Sequence, residues 1–353
     1  VAFIQEIRDI AVAINKDLKM EVAVAGPDPN LSDAGKVRIP TTSFILNLLL
    51  GGGVPLGRVM EVYGDESVGK STVAQHMMVG FQQSGGISVL LDAETGWDRE
   101  RALAMGHDND RHLHLQADTV ELGAKALLRT VDRLTMPGKF PKGMPIGIFW
   151  DTISSSQTEG EKEGDLYKDG IADKARKIRQ MLRTVSPLLP KANASLVFVS
   201  QTITTINKGK GRGGGDGSRK IAASGGNALR FWASKRLKIW RNKRWDYPES
   251  HSGILVTVLS KKDKMQAPNY TVDLPLMYDS GIHPGYELVV YLLDNSRYVN
   301  MDAGQVVVPD YPEPGEQVQF WMKQLPKVMD KYPDLLEYLS NCAEASWPPT
   351  QDD

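Results

Sequence analysis

Apolar residues recur along this chain with two alternating periods. Short apolar runs at 58–63, 87–91, 111–115, 146–150 and 195–200 predict strands; patterns of period 3.6 at 69–83, 98–106, 119–135 and 170–189 predict helices between them. Strands joined by crossover helices make a mostly parallel sheet covered on both faces, an α/β fold. After Gln201 the rhythm changes. A glycine-rich basic stretch leads to a short helix from Gly225, then to strands at 235–241 and 253–260, and Arg236 to Trp245 reads as a hairpin-like segment that interleaves cations with Trp240 and Trp245. Residues 1 to 18 carry apolar positions at helical spacing and are followed by a polar stretch around Gly26-Pro-Asp-Pro-Asn30. From about Asn295 proline-rich spacers precede a helix expected over 316–342. These shifts divide the chain into an N-terminal helix and linker (1–38), a core (39–285) and a small acidic C-terminal module (286–353).

At the end of the 58–63 run the chain reads Gly64-Asp-Glu-Ser-Val-Gly-Lys-Ser71. A glycine turn between a strand and a helix start arranges successive backbone N–H groups around a polyphosphate, and the helix dipole adds to the attraction. Gly64 and Gly69 permit the tight path, Lys70 reaches toward the β- and γ-phosphates, and the Ser71 hydroxyl is placed to ligate Mg²⁺. Asp65, Glu66, Ser67, Val68 and Thr72 complete the loop and its exit. A nucleoside triphosphate is the expected ligand.

Two further strands end in acids. The run Ile146-Gly-Ile-Phe-Trp150 stops at Asp151, and Ile87-Ser-Val-Leu-Leu91 at Asp92-Ala-Glu94. Alone, each acid reads as a cap for the following turn; beside a phosphate loop they make a hydrolytic site, with one carboxylate for the metal and one to deprotonate water.

The 353 residues are 41% apolar and 24% charged, the balance of a soluble globular chain, and the net charge of −1 conceals a segregation. Between Thr202 and Ser224 stand Lys208, Lys210, Arg212, Arg219 and Lys220 against the single acid Asp216, among eight glycines and serines. Such a stretch is expected to stay mobile until a polyanion orders it. From Asp302 onward ten acids face Lys323, Lys327 and Lys331. The one cysteine, Cys342, excludes an internal disulfide and a thiolate metal cluster, which points to a cytoplasmic setting. His112 and His114, two apart in a strand, are expected to face one side in a structural role. No apolar run approaches a membrane span.

The stretches Leu56–Thr72, Leu91-Asp-Ala-Glu94, Val197-Phe-Val-Ser-Gln201 and Gly225-Gly-Asn-Ala-Leu-Arg-Phe-Trp-Ala-Ser234 resemble, in order, those of the bacterial-type RecA recombinases. The resemblance covers roughly residues 35 to 285 and implies a RecA-like ATPase core. It implies that Glu94 activates the attacking water, that Asp151 serves Mg²⁺, and that Gln201 senses the γ-phosphate at a strand end. Lys262 and Lys264 stand where the family places a lysine pair that reaches the triphosphate of the adjacent subunit. The basic stretch corresponds to the second DNA loop, with Gly225, Gly226 and Asn227 at its exit, and about Gln157 to Gly170 to the first. That first loop is rich in acids here, so Arg176, Arg179 and Arg183 either supply its charge or are simply solvated. Asp98 matches an adenine-side acid, while Arg101 replaces a base-stacking tyrosine. Implied partners are single-stranded DNA, homologous duplex and further copies in a head-to-tail filament, with ATP and Mg²⁺ as cofactors. A hexameric DNA helicase and an ATP-switched DNA-coating mediator remain the alternatives.

Overall fold

The computed structural model describes residues 2–19, 36–136, 138, 140–162, 171–206, 219–223, 226–247 and 251–348. In chain order, helix α1 (Ala2–Leu18) precedes the short strands β1 (Arg38–Ile39) and β2 (Val54–Pro55), with helix α2 (Phe44–Leu50) between them. There follow β3 (Val59–Gly64), α3 (Lys70–Gln83), β4 (Ile87–Asp92), α4 (Arg99–Ala104), β5 (His112–Gln116), α5 (Val120–Leu134) and β6 (Ile146–Asp151). Next come α6 (Glu159–Lys162), α7 (Ile171–Val185), β7 (Ala194–Ile206), β8 (Arg219–Ala223), α8 (Gly226–Trp232), β9 (Lys235–Tyr247) and β10 (His251–Asp263). The chain closes with β11 (Thr271–Met277), β12 (Gly281–Ile282), α9 (Pro284–Asn295), β13 (Asn300–Asp302), β14 (Gln305–Pro309), β15 (Gln317–Phe320), α10 (Leu325–Lys331) and α11 (Leu335–Ala345).

One ten-stranded sheet organises the molecule, in the order β12-β11-β10-β9-β3-β7-β6-β4-β5, with β8 paired to β7. From β9 to β5 every neighbour is parallel, whereas β10, β11 and β12 add an antiparallel edge. The pleat sorts side chains into two cores. Met60, Val62, Leu90, Phe149, Val197 and Val199 face α2, α3 and α9, while Val59, Val89, Leu91, Ile148, Trp150 and Phe198 face α5 and α7. These are the two covered faces that the continuous apolar strands require.

Four expectations need correction. The helix foreseen over 316–342 is instead β15, whose exposed–buried alternation pairs it with β14, followed by α10 and α11. Pro333 disfavours helical backbone at the residue before it, so the two helices separate there. The hairpin-like segment 236–245 is one continuous strand, and the hairpin is formed by β9 with β10. Strand β7 does not stop at Gln201: the β-branched run Thr202-Ile-Thr-Thr-Ile206 continues it and pairs antiparallel with β8. The basic stretch is thus a β-ribbon at 202–206 and 219–223, and Lys208, Lys210, Arg212 and Gly225, with the mobility expected of 207–218, lie outside the described residues. Lastly, Lys262 and Lys264 do not share a regular strand face, because the β9–β10 register shifts between Ser260 and Lys262 and β10 ends at Asp263.

His112 and His114 do face one side, in an aromatic cluster. Trp97 stacks on the His112 ring at 4.8 Å between centroids, and His107 meets that ring edge-on at 4.6 Å. Burial pushes the His107 and His112 imidazoles down to about 4 and about 3, which keeps them neutral. Among the described residues no cluster of histidines, cysteines and acids could hold a metal, and no helix is long and apolar enough to cross a membrane.

Candidate active site

Strand β3 delivers the chain to the phosphate loop at Gly64, where a side chain would collide with the Ile239 carbonyl 2.1 Å away. Gly69 has φ +86°, and a Cβ there would meet Leu276 at 2.2 Å. Both glycines are therefore required by backbone path and by close packing. Helix α3 starts at Lys70, so its unbonded first-turn N–H groups point into the loop. The Lys70 ammonium donates to the Asp65 carbonyl at 2.5 Å; burial lowers its pKa, and Asp151, Glu94, Asp65 and Glu66 act in the opposite direction.

The loop opens on a cavity of about 640 Å³, a size suited to a nucleotide-scale ligand. Glu66 to Thr72, Glu94, Arg101, Thr152 and Gln201 line its polar side, and Ile254, Leu276, Met277 and Tyr278 form the apolar wall. Arg101 reaches across the rim from α4, donating from Nε to the Tyr278 carbonyl at 2.8 Å and from Nη2 to Thr72 Oγ1 at 2.7 Å. Asp98 caps α4 by accepting from the Arg101 N–H at 3.0 Å. The Arg101 side chain is thus fixed by two hydrogen bonds at the place where a stacking ring was the family expectation.

Glu94 sits on the turn after β4. Asp92 shapes that turn, its Oδ1 accepting from the Glu94 and Gly96 N–H groups at 3.1 and 3.3 Å. Glu94 Oε1 accepts from Thr152 Oγ1 at 2.8 Å, Ser155 Oγ at 2.5 Å and Gln201 Nε2 at 3.4 Å. Gln201 is itself held, since its backbone N–H donates to Ser154 Oγ at 2.8 Å, and the next residue, Thr202, donates through its hydroxyl to Asp65 of the phosphate loop. Asp151 lies behind these groups. Burial, then Glu94 and Asp92, raise its pKa to about 6 against a Ser71 hydrogen bond and Lys70, which lower it. A serine hydroxyl bonded to a carboxylate in a site with surplus negative charge is a hard-oxygen donor pair that suits Mg²⁺, which takes one or two protein ligands and fills its shell with phosphate oxygens and water.

The remaining candidates lie elsewhere. Lys262 Nζ donates to the Arg230 and Phe231 carbonyls at the end of α8, at 2.6 and 3.3 Å, and neither Lys262 nor Lys264 lines the cavity. Arg176 forms an ion pair with Asp173 on an exposed face of α7 that it shares with Arg179 and Arg183. Arg219 and Lys220 lie on β8, and Gly226 and Asn227 open α8. Sequence reasoning missed Thr152, Ser154 and Ser155, although a run of hydroxyls directly after a strand-end acid was a visible signal. It also missed Ile254, Leu276, Met277 and Tyr278, which have no motif because β10 and β11 reach the cleft only through sheet pairing.

A parallel sheet with a glycine-turned anion cradle at one strand end, and acids on the neighbouring ends, defines a P-loop α/β protein. Comparison with known proteins narrows this: a profile of the RecA N-terminal domain matches residues 12–283. Relatives named Protein RecA include that of Nostoc punctiforme, 34% identical over 255 residues, covering 71% of this chain and 67% of the relative. That of Trichodesmium erythraeum is 33% identical over 256 residues, with 71% and 66% covered, and that of Helicobacter acinonychis 32% over 254, with 72% and 69% covered. The match thus spans about two thirds of the curated relatives' length. The chain belongs to the RecA family.

Proposed function

We propose that this protein is a DNA-dependent ATPase that polymerises on single-stranded DNA and promotes homologous pairing and strand exchange in recombinational repair. The observation that carries this reading is the meeting of the phosphate loop, Glu94 and Gln201 with the bases of both candidate DNA segments. Lys70 and the α3 N–H groups bind the triphosphate; Ser71 and Asp151 would hold Mg²⁺, which would supply positive charge to the phosphate oxygens. Glu94 takes a proton from the attacking water as its oxygen bonds to the γ-phosphorus and the bridging bond to ADP breaks. Lys262 and Lys264, which do not line the cavity of their own chain, act on the triphosphate of an adjacent copy, so hydrolysis follows assembly. Arg219 and Lys220, with Lys208, Lys210 and Arg212 that precede them in the sequence, contact the DNA backbone with little sequence preference and with steep salt dependence.

The test is ATP turnover measured with and without single-stranded DNA. DNA should stimulate the wild type. Glu94→Gln should retain nucleotide and DNA binding while losing about 100-fold or more in turnover, and Lys70→Ala should lose nucleotide-dependent assembly. Turnover indifferent to DNA would favour a coating mediator, and unwinding of forked duplex a ring helicase.

A further inference from the structure

We propose that Ser155 is a positioning residue for Glu94; this rests on the catalytic reading given above. The Ser155 hydroxyl meets Thr152 Oγ1 of its own turn at 3.0 Å and makes a shorter bond outside it. It donates to the carboxylate of Glu94, 61 residues away in sequence. Thr152 Oγ1 donates to the same oxygen at 2.8 Å and accepts from the Ser155 N–H at 3.3 Å. With the more distant Gln201 amide, all three donors converge on Oε1, and among the described residues none reaches Oε2. A carboxylate gripped by one oxygen presents the other in a fixed direction, which is the orientation a base needs before water arrives.

The turn that carries Ser155 is anchored on several sides. The Ile153 N–H donates to the Val199 carbonyl at 3.1 Å, and Trp150 Nε1 to Ser156 Oγ at 3.0 Å. Lys174 Nζ donates to the Ser154 carbonyl at 2.6 Å. Lys174 lies in the first turn of α7, so that helix braces the turn. Meanwhile Ser154 Oγ holds the Gln201 backbone at the root of the second segment. One short run of hydroxyls, at Thr152, Ser154 and Ser155, thus holds both the Glu94 carboxylate and the Gln201 backbone.

The experiment measures ATP turnover against ATP concentration, with and without an oligo-dT strand, for the wild type, Ser155→Ala, Ser155→Thr and Glu94→Gln, together with DNA binding in a non-hydrolysable ATP analogue. Ser155→Ala should lower the DNA-stimulated kcat about ten-fold, in line with loss of one hydrogen bond to a charged group. Its KM for ATP should stay within about two-fold and its analogue-dependent DNA binding should be unchanged. Ser155→Thr, which keeps the hydroxyl, should restore most of the rate. Wild-type kcat in Ser155→Ala overturns the assignment, as does loss of DNA binding together with kcat, or failure of threonine to restore the rate. If Glu94→Gln is inactive and Ser155→Ala is not, only this inference falls; if the wild type shows no DNA-stimulated turnover, the function proposed above falls with it.

Discussion

His76 shows how burial fixes charge at a single residue. It sits in α3, almost fully buried, with Nδ1 against the Thr42 hydroxyl and Nε2 accepting from the Ile282 N–H at 2.8 Å. Burial, assisted by the nearby Arg101 cation, lowers its pKa to about 4. Between pH 6.5 and about 4 the unfolded chain therefore binds a proton that the folded chain refuses, and the stability held above pH 6.5 is lost as pH falls through that window. The effect is on the order of 3 kcal/mol. His76→Gln should make the acid limb of stability shallower, though not flat since His107 and His112 also contribute, measured by urea unfolding at pH 7 and pH 5; an unchanged pH dependence would place the titrating group elsewhere.

At the scale of elements, β9, β10 and α2 meet at one ion pair. Lys235 and Asp263 have fully buried side chains 2.5 Å apart, and Lys235 also donates to the Leu50 carbonyl at 2.9 Å, at the end of α2. Asp263 Oδ1 accepts from the Met265 and Gln266 N–H groups, which sets the turn carrying Lys264. Asp263→Ala should cost about 3–5 kcal/mol by leaving a buried cation unpaired, while Lys235→Met with Asp263→Leu should recover most of the loss. Chemical denaturation of both variants checks this. Such pairs also mark where sequence reading stops. The phosphate loop and the alternating strands and helices were legible because glycine spacing and apolar period are local signals. Arg101 on the Tyr278 carbonyl and Ser155 on Glu94 were not, since only the assembled sheet joins residues 177 and 61 positions apart. Residues 202–206 were read as loop because glycines and cations farther along masked their β-branched run, and 317–320 as helix because four alternating residues ahead of two helices carry little signal of their own.

At the scale of the whole molecule, the amphipathic helix α1 is left without cover among the described residues. Along α1, Ile7, Ile10 and Ile14 fall on one face and are exposed, Ile10 by 59%, and only Ala11 is buried among the positions whose exposure is described. Under the proposed filament this apolar stripe docks on a second copy, in a head-to-tail contact that extends rather than closes. Ile10→Asp with Ile14→Asp should leave the unfolding midpoint nearly unchanged, because exposed sites contribute little to the single chain. It should abolish the mass increase seen by light scattering with an ATP analogue and single-stranded DNA. A full mass increase in that variant would remove α1 from the contact.

The opposite end of the chain is bound inward. Helix α9 is buried from Gly285 to Leu292, and its Glu287 carboxylate, pushed up to about 7 by burial, accepts from the Ser43 hydroxyl and from the Phe44 N–H at 2.8 Å. The start of α2 thus depends on a residue 243 positions downstream. During synthesis the phosphate-loop side of the sheet must wait, with its apolar face unsealed, until α9 has left the ribosome; closure over so long a separation is slow. The nascent nucleotide-binding half is then the species most exposed to aggregation, and the last quarter of the chain acts as the clasp that ends its vulnerability.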